Sequence, residues 1–314
     1  MDVIKKNSDI NNSIYTKNNS NVTNNKENWI TETYPGGDRY EGEFNDIKRE
    51  GKGIYYFADG EKYEGDFKDG KREGKGTEYY TDGGNYEGNW KNDKRDGYGV
   101  YTYGNNDRFE GFWKDSKKEG KGNYYFVSGH RLEGEWKDDK IEGRATYYYT
   151  TPGQTTSQYR FDGIYKHGKR TGKGIEIIKG STYDGEWKDD RRDGKGKVTY
   201  LSGNKYEGEW KNGFEHGRGK YTYFNGDKYE GEFKFGKREG KGVIYYHCGA
   251  KYEGDFVNGW REGKGIEIYG DGNKYDGEWS NDKKCGRGTF YYASGGTAIG
   301  IFKDDALIME DSDI

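Results

Sequence analysis

The chain has 314 residues and carries 53 Lys and Arg against 56 Asp and Glu, a formal net charge of −3 that excludes the net positive field of a nucleic-acid binder. Only 29% of residues are apolar, yet Tyr, Phe and Trp number 32, 14 and 8 beside 54 Gly and 2 Pro, a ring content that argues against disorder. Two cysteines, Cys248 and Cys285, provide no disulfide framework; no apolar stretch of about 18 residues suggests a membrane helix, and the N-terminus lacks the apolar core of a signal peptide, so a reducing, cytoplasmic setting is expected.

Residues 1–28 hold nine asparagines and little that could pack, and are expected to be a disordered tail. Trp29 to Tyr34 reads as a leading half-hairpin. From there a period takes over: Tyr40-Glu41-Gly42-Glu43-Phe44 returns as Tyr63-Glu64-Gly65-Asp66-Phe67 and as Tyr86-Glu87-Gly88-Asn89-Trp90. The copies start at 40, 63, 86, 109, 132, 161, 183, 206, 229, 252, 275 and 298, and nine of the eleven intervals are 23 residues. Repeats 1–5 with the half-hairpin fill 29–149, an insertion containing Pro152-Gly153 occupies 150–160, repeats 6–12 fill 161–302, and a short acidic tail covers 303–314. The sequence leaves open whether the insertion is a surface loop or a kink between the two halves.

Counting from each anchor as position 0, positions 0, +2 and +4 carry an aromatic, Gly and Phe or Trp, while +1 and +3 are mostly acids. That alternation predicts a strand with one row on each face. A second strand follows, with Gly at +11 and +13 and an aromatic at +17; pairs such as Asp59-Gly60 and Asn225-Gly226 predict tight turns after it. Each glycine leaves a slot in which a ring from a neighbouring strand can lie flat. The predicted fold is all-β: an elongated single-layer twisted antiparallel β-sheet rod of about 24 short strands, on the order of 100 Å long at 4.8 Å per strand.

The pattern Tyr-Glu-Gly-Glu-Phe/Trp-x-x-Gly-x-x-x-Gly-x-Gly resembles the MORN repeat (membrane occupation and recognition nexus), over roughly residues 34–302. Three departures are local. Leu132 replaces an anchor aromatic, Ala145 replaces a Gly, and the last copy, Ala298-Ile299-Gly300-Ile301-Phe302, lacks its anchor and acids. The resemblance implies an interaction scaffold at a membrane–cytoskeleton junction, with cytoskeletal or membrane-associated proteins as partners and a homodimer as a common state. Radial-spoke head proteins with similar repeats make a cilium or flagellum component the alternative. Plant phosphoinositide kinases and a histone lysine methyltransferase with such repeats make a targeting subunit for an enzyme a third reading.

Chemistry is sparse. The histidines, His130, His167, His216 and His247, fall at repeat positions +21, +6, +10 and +18 and form no ligand spacing. Paired acids such as Glu41 and Glu43 recur in most copies, which one glycosidase-like site would not require. Gly70-Lys71-Arg72-Glu73-Gly74-Lys75-Gly76 has the wrong spacing for a phosphate loop. No catalytic residue, cofactor or metal is expected, and the chain is read as a non-enzyme.

Position +12 is basic in ten of eleven units, and basic pairs at +8 and +9 add to it. The longest in-register run, Lys195, Arg218, Lys241, Lys264 and Arg287, is the candidate contact for anionic phospholipids. The opposing reading pairs each of these cations with the acids at +10. For self-association the candidates are Ile299 and Ile301, which replace charges at an open sheet end. The alternative there is capping by Ala306-Leu307-Ile308-Met309.

Overall fold

The computed structural model describes residues 3–4, 14–17, 29–150 and 159–310, and all regular structure in them is β-strand. Two compact units emerge, residues 1–157 with 166–168, and residues 158–165 with 169–314. In the first, every strand from Ile30–Thr33 to Lys140–Tyr148 pairs antiparallel with the next. In the second, the same holds from Lys169–Ile178 to Ala306–Glu310.

The repeat anchored at Tyr206 shows how the sequence makes its hairpin. Tyr206 stands opposite Tyr221 and Gly208 opposite Gly219; a bulge follows, after which Trp210 faces Glu215 and Lys211 faces Phe214. The second strand therefore begins at +8, earlier than the Gly-x-Gly element suggests. A two-residue turn at +6 and +7 joins the strands, with both residues in the left-handed region, as at Asn212 (φ 52°) and Gly213 (φ 92°). Such turns match the right-handed twist of the flanking strands. The Asp-Gly pairs sit at the other end: at Asp59-Gly60 the N–H of Gly60 donates to the Phe57 carbonyl, 3.0 Å away.

The core is a layer of rings on one face of each sheet. Anchor rings Tyr40, Tyr63, Tyr86, Phe109, Phe161, Tyr183, Tyr206, Tyr229, Tyr252 and Tyr275 are fully buried. Each covers two glycines. A Cβ on Gly208 or Gly219 would stand 2.5 Å from atoms of the Tyr206 side chain. The ring thus comes from the glycine's own repeat and spans both strands of its hairpin. Two +4 rings clamp it edge-on; Tyr206 meets Trp210 at 5.4 Å and Phe233 of the next repeat at 5.0 Å. Its hydroxyl donates to the Glu209 carbonyl at 2.7 Å. Burying such a ring contributes roughly 1.5–3 kcal/mol, and edge-to-face packing adds about 0.5–1.5 kcal/mol.

The departures at Leu132 and Ala145 compensate one another. A Cβ on Gly134 would stand 2.5 Å from the Ala145 Cβ and 3.0 Å from Ile141 Cδ1, so the Ala145 methyl and a buried Ile141 fill the space a ring takes elsewhere.

The expectation of a disordered tail over 1–28 lies mostly outside the described residues; two short strands, Val3–Ile4 and Ile14–Lys17, are described there, and the latter pairs with Ile30–Thr33. Of the insertion, 151–158 lies outside them as well. In the acidic tail, Ala306–Glu310 forms a strand on Thr297–Lys303, with Met309 opposite Ile301.

Candidate interaction faces

The face opposite the rings carries three rows of side chains. Positions +3 and +12 of consecutive strands form the first, +1 and +14 the second, and −1 and +16 the third. Between the first two rows the floor is bare backbone, because a ladder of paired glycines runs across the strands, for example Gly196, Gly208, Gly219, Gly231 and Gly242. The resulting grooves measure about 950 Å³ in the first unit and about 1180 Å³ in the second.

Strand register decides what the +12 column is. Lys195 stands opposite Glu209, Arg218 opposite Glu232, Lys241 opposite Asp255 and Lys264 opposite Glu278. The row alternates in sign along its length. Lys241 closes an ion pair with Asp255 at 2.6 Å, as Lys52 does with Asp66 at 2.5 Å. Arg287 differs, since it faces Ile301. The acids that meet the +12 cations are those at +3 of the next repeat. The +10 acids do other work: Glu73 accepts the Asn92 N–H at 2.9 Å and Glu239 the Asn258 N–H at 3.0 Å, which fastens the next turn.

The adjacent basics at +8 and +9 point in different directions. Position +8 runs along the turn edge and bonds +6 of the next repeat, as in Lys48–Asp69 at 2.9 Å and Lys94–Asp115 at 2.8 Å. That contact holds the Asp69 carboxyl below its usual range. Position +9 turns into the ring layer. Arg72 lies 4.3 Å from the Trp90 ring centre and Arg261 4.1 Å from Trp279, and their guanidinium groups donate to the Asp93 and Asp282 carbonyls at 2.9 and 2.6 Å. These +9 cations are core residues and cannot belong to a lipid-facing row. The signal was available: +9 shares its odd parity with the glycines at +11 and +13.

In one place an aromatic pair replaces the ionic rung. Tyr98 and Phe112 meet edge-on at 5.6 Å, with 42% and 49% of their surface exposed. The Tyr98 hydroxyl donates to Glu110 at 2.7 Å. Beside the pair, Lys75 faces Asn89 and Glu87 faces Val100, so neither has an opposite charge across the strands. In the sequence, Tyr98 is the one non-basic residue of the +12 column.

The described residues contain no group of three or more His, Cys, Asp or Glu placed to hold a metal ion. Burial pushes the Cys285 thiol up, away from thiolate chemistry. Ile299 is half exposed on the polar face, and Ile301 packs opposite Met309 of the added strand.

The MORN repeat profile matches residues 40–62, 63–85, 86–108, 109–131, 133–151, 161–179, 183–205, 206–228, 229–247, 252–274 and 275–297. The chain belongs to the MORN-repeat family. The copy starting at 298 is not among the matched segments, consistent with its altered anchor and acids. No curated protein matches the MORN chain. Among solved structures, the TCP10 domain of Danio rerio CPAP is similar at 15% identity and a TM-score of 0.35, covering 67% of this chain and 98% of that one. The TCP domain of Drosophila melanogaster SAS-4, in complex with a proline-rich motif of Ana2, follows at 12% identity and 0.31, covering 66% and 96%. Virginiamycin B lyase of Staphylococcus aureus covers 92% of this chain and 89% of its own, at 10% identity and 0.14. At these scores none of the three bears on the function of the MORN array.

Proposed function

We propose that this MORN-repeat chain is a non-enzymatic scaffold that holds a protein partner along its polar face, at a membrane–cytoskeleton junction. The observation that carries the reading is the Tyr98–Phe112 pair. Half-exposed rings in a row that is mostly ionic, flanked by Lys75 and Glu87 whose cross-strand partners Asn89 and Val100 carry no charge, have the composition of a protein-binding hot spot. Tyr98→Lys with Phe112→Glu restores the ionic rung. In proximity labelling with a tagged chain in the source organism, this variant should lose a defined set of neighbours that the wild type marks. An unchanged set sinks the reading. Labelling confined to an axoneme would instead favour the ciliary alternative, and a catalytic subunit among the lost neighbours the targeting one.

A second reading, binding of anionic phospholipids, is favoured by a specific observation: among the described residues, Lys241 alone of Lys195, Arg218, Lys241, Lys264 and Arg287 lies within ion-pair distance of an acid. Cations beside a charged surface contribute about 1 kcal/mol each and are screened by salt. Liposome flotation with phosphoinositide-containing vesicles at low salt tests it. Lys241→Glu with Lys264→Glu should greatly weaken flotation, and absence of wild-type binding removes the lipid role.

A further inference from the structure

Between the repeats anchored at Tyr206 and Tyr229, four positions change together. The Tyr229 repeat has Lys237-Arg238-Glu239 at +8 to +10, whereas the Tyr206 repeat has Phe214-Glu215-His216, and Phe235 takes the +6 place that holds Asp, Asn or His in the other repeats. Nine of the eleven +9 residues are basic; the others are Ile141 and Glu215. Where an arginine is present it fills a defined place. Arg238 lies 5.7 Å from the Tyr229 ring centre and 5.1 Å from Phe256, and donates to the Gly259 carbonyl.

Glu215 leaves the equivalent place empty of a cation. A cavity of about 370 Å³ opens there, lined by Tyr200, Tyr221, Tyr223, Phe233, Glu215 and Gly236. The Tyr200 hydroxyl donates to one Glu215 oxygen, and the carboxylate forms no ion pair among the described residues. Gly236 holds the position of the carbonyl that accepts the guanidinium in the sister repeats. Of the surrounding cations, Arg192 pairs with Glu176 at 3.0 Å, while Arg238, held as above, and Lys237 stand in the cavity wall.

The mouth is altered to match. Phe214 and Phe235 are 52% and 65% exposed and meet at 6.2 Å, at the place where Lys48–Asp69, Lys94–Asp115 and Lys117–Asp138 form ionic rungs in the first unit. Phe235 keeps φ at +50°, a conformation costly for a bulky residue and cheap for the Asp or Asn it replaces. Against it, with ring centres 5.9 Å apart, His216 has a buried Nδ1 with no hydrogen-bond partner among the described residues.

We propose that this cavity receives the guanidinium of an arginine presented by a protein partner, with Phe214 and Phe235 gripping the apolar residue beside it. The site deepens the protein-scaffold reading and rests on it. The incoming group would repeat the stacking and carbonyl contact that Arg238 makes one repeat away, and would add the charge-assisted bond to Glu215 that an intramolecular cation supplies at Arg72–Glu78, Arg170–Glu176 and Arg261–Glu267.

The test uses the full chain and a pair of probes, N-acetyl-Phe-Arg-amide and its citrulline counterpart, with N-acetyl-Gly-Arg-amide as a third for the phenylalanine contact, titrated by ligand-observed NMR. The arginine probe should bind at least about tenfold more tightly than the neutral one, the factor expected for one charge-assisted hydrogen bond. Glu215→Arg fills the cavity from within and should abolish that preference; should it not fold, Glu215→Gln, expected to reduce the preference about tenfold, decides the matter. Phe214→Lys with Phe235→Asp should leave the preference for arginine but remove the advantage of a Phe-Arg over a Gly-Arg probe. Equal binding of both probes, or unchanged preference in Glu215→Arg, overturns the proposal. Such a result leaves the polar-face reading standing, because Tyr98 and Phe112 belong to the other unit and are read by a separate experiment.

Discussion

The ring of Tyr206 lies flat across Gly219 on the opposite strand, so close that a Cβ added to Gly219 would come within 2.5 Å of it. Every intact repeat has this relationship between anchor and +13 glycine, and it explains why a strand tolerates a residue that ordinarily weakens it. What the backbone loses in side-chain packing it regains by letting a ring touch main-chain atoms of two strands at once.

Gly208→Val tests that slot on the anchor's own strand. The added Cβ would stand 2.5 Å from the Tyr206 hydroxyl oxygen and 2.6 Å from the Gly219 Cα, the latter being backbone that cannot move aside cheaply. A loss of at least about 1–3 kcal/mol is expected from overpacking, read as a lower denaturation midpoint in urea. An unchanged midpoint would mean the glycine is not serving as a slot.

The repeat anchored at Leu132 gives the reciprocal experiment. Leu132→Tyr alone should destabilise, because the Ala145 methyl and Ile141 occupy the space of the new ring. Adding Ala145→Gly and Ile141→Arg rebuilds the ordinary repeat and should return stability at least to wild type. If the triple variant is no better than the single one, the three departures are not coupled.

Glu215 predicts a pH dependence of definite sign. Burial pushes its carboxyl above the ordinary glutamate value, opposed by the Tyr200 hydroxyl and Arg192. A raised carboxyl favours the folded state in its protonated form, so the stabilisation is complete below the unfolded value of about 4.3 and is lost as pH rises through the folded value. Glu215→Gln carries no charge and loses nothing over that range. The variant's melting temperature should exceed that of wild type near neutral pH, with the gap closing toward pH 4. A gap constant with pH would show that burial does not penalise this charge.

The last strand bears on self-association. Ala306–Glu310 covers Thr297–Lys303 and, among the described residues, is paired on that side only, while Ile299, Ile308 and Met309 remain about half exposed. Edges of this kind pair with other chains when nothing blocks them, and the proposal is that two copies meet there. Ile299→Glu with Ile301→Glu should give monomers in sedimentation velocity where wild type gives dimers. A wild type that is monomeric throughout, or a variant dimer, places any interface elsewhere.

The sequence by itself determined the repeat, its hairpins, the ring–glycine core and the family, because a 23-residue period with fixed parity repeats the same local information many times. Parity also held the direction of the +9 arginines, although their charge suggested the surface. What only the tertiary structure decided is which charges meet. Lys241 and Asp255 are fourteen positions apart, and their ion pair exists because the unbroken register between one hairpin and the next, from Gly240 opposite Phe256 to Tyr245 opposite Lys251, sets them face to face. The cavity at Glu215 is likewise a property of two neighbouring repeats. In the sequence it is one acid in a basic column; in the fold it is a carboxylate among rings built to surround a guanidinium.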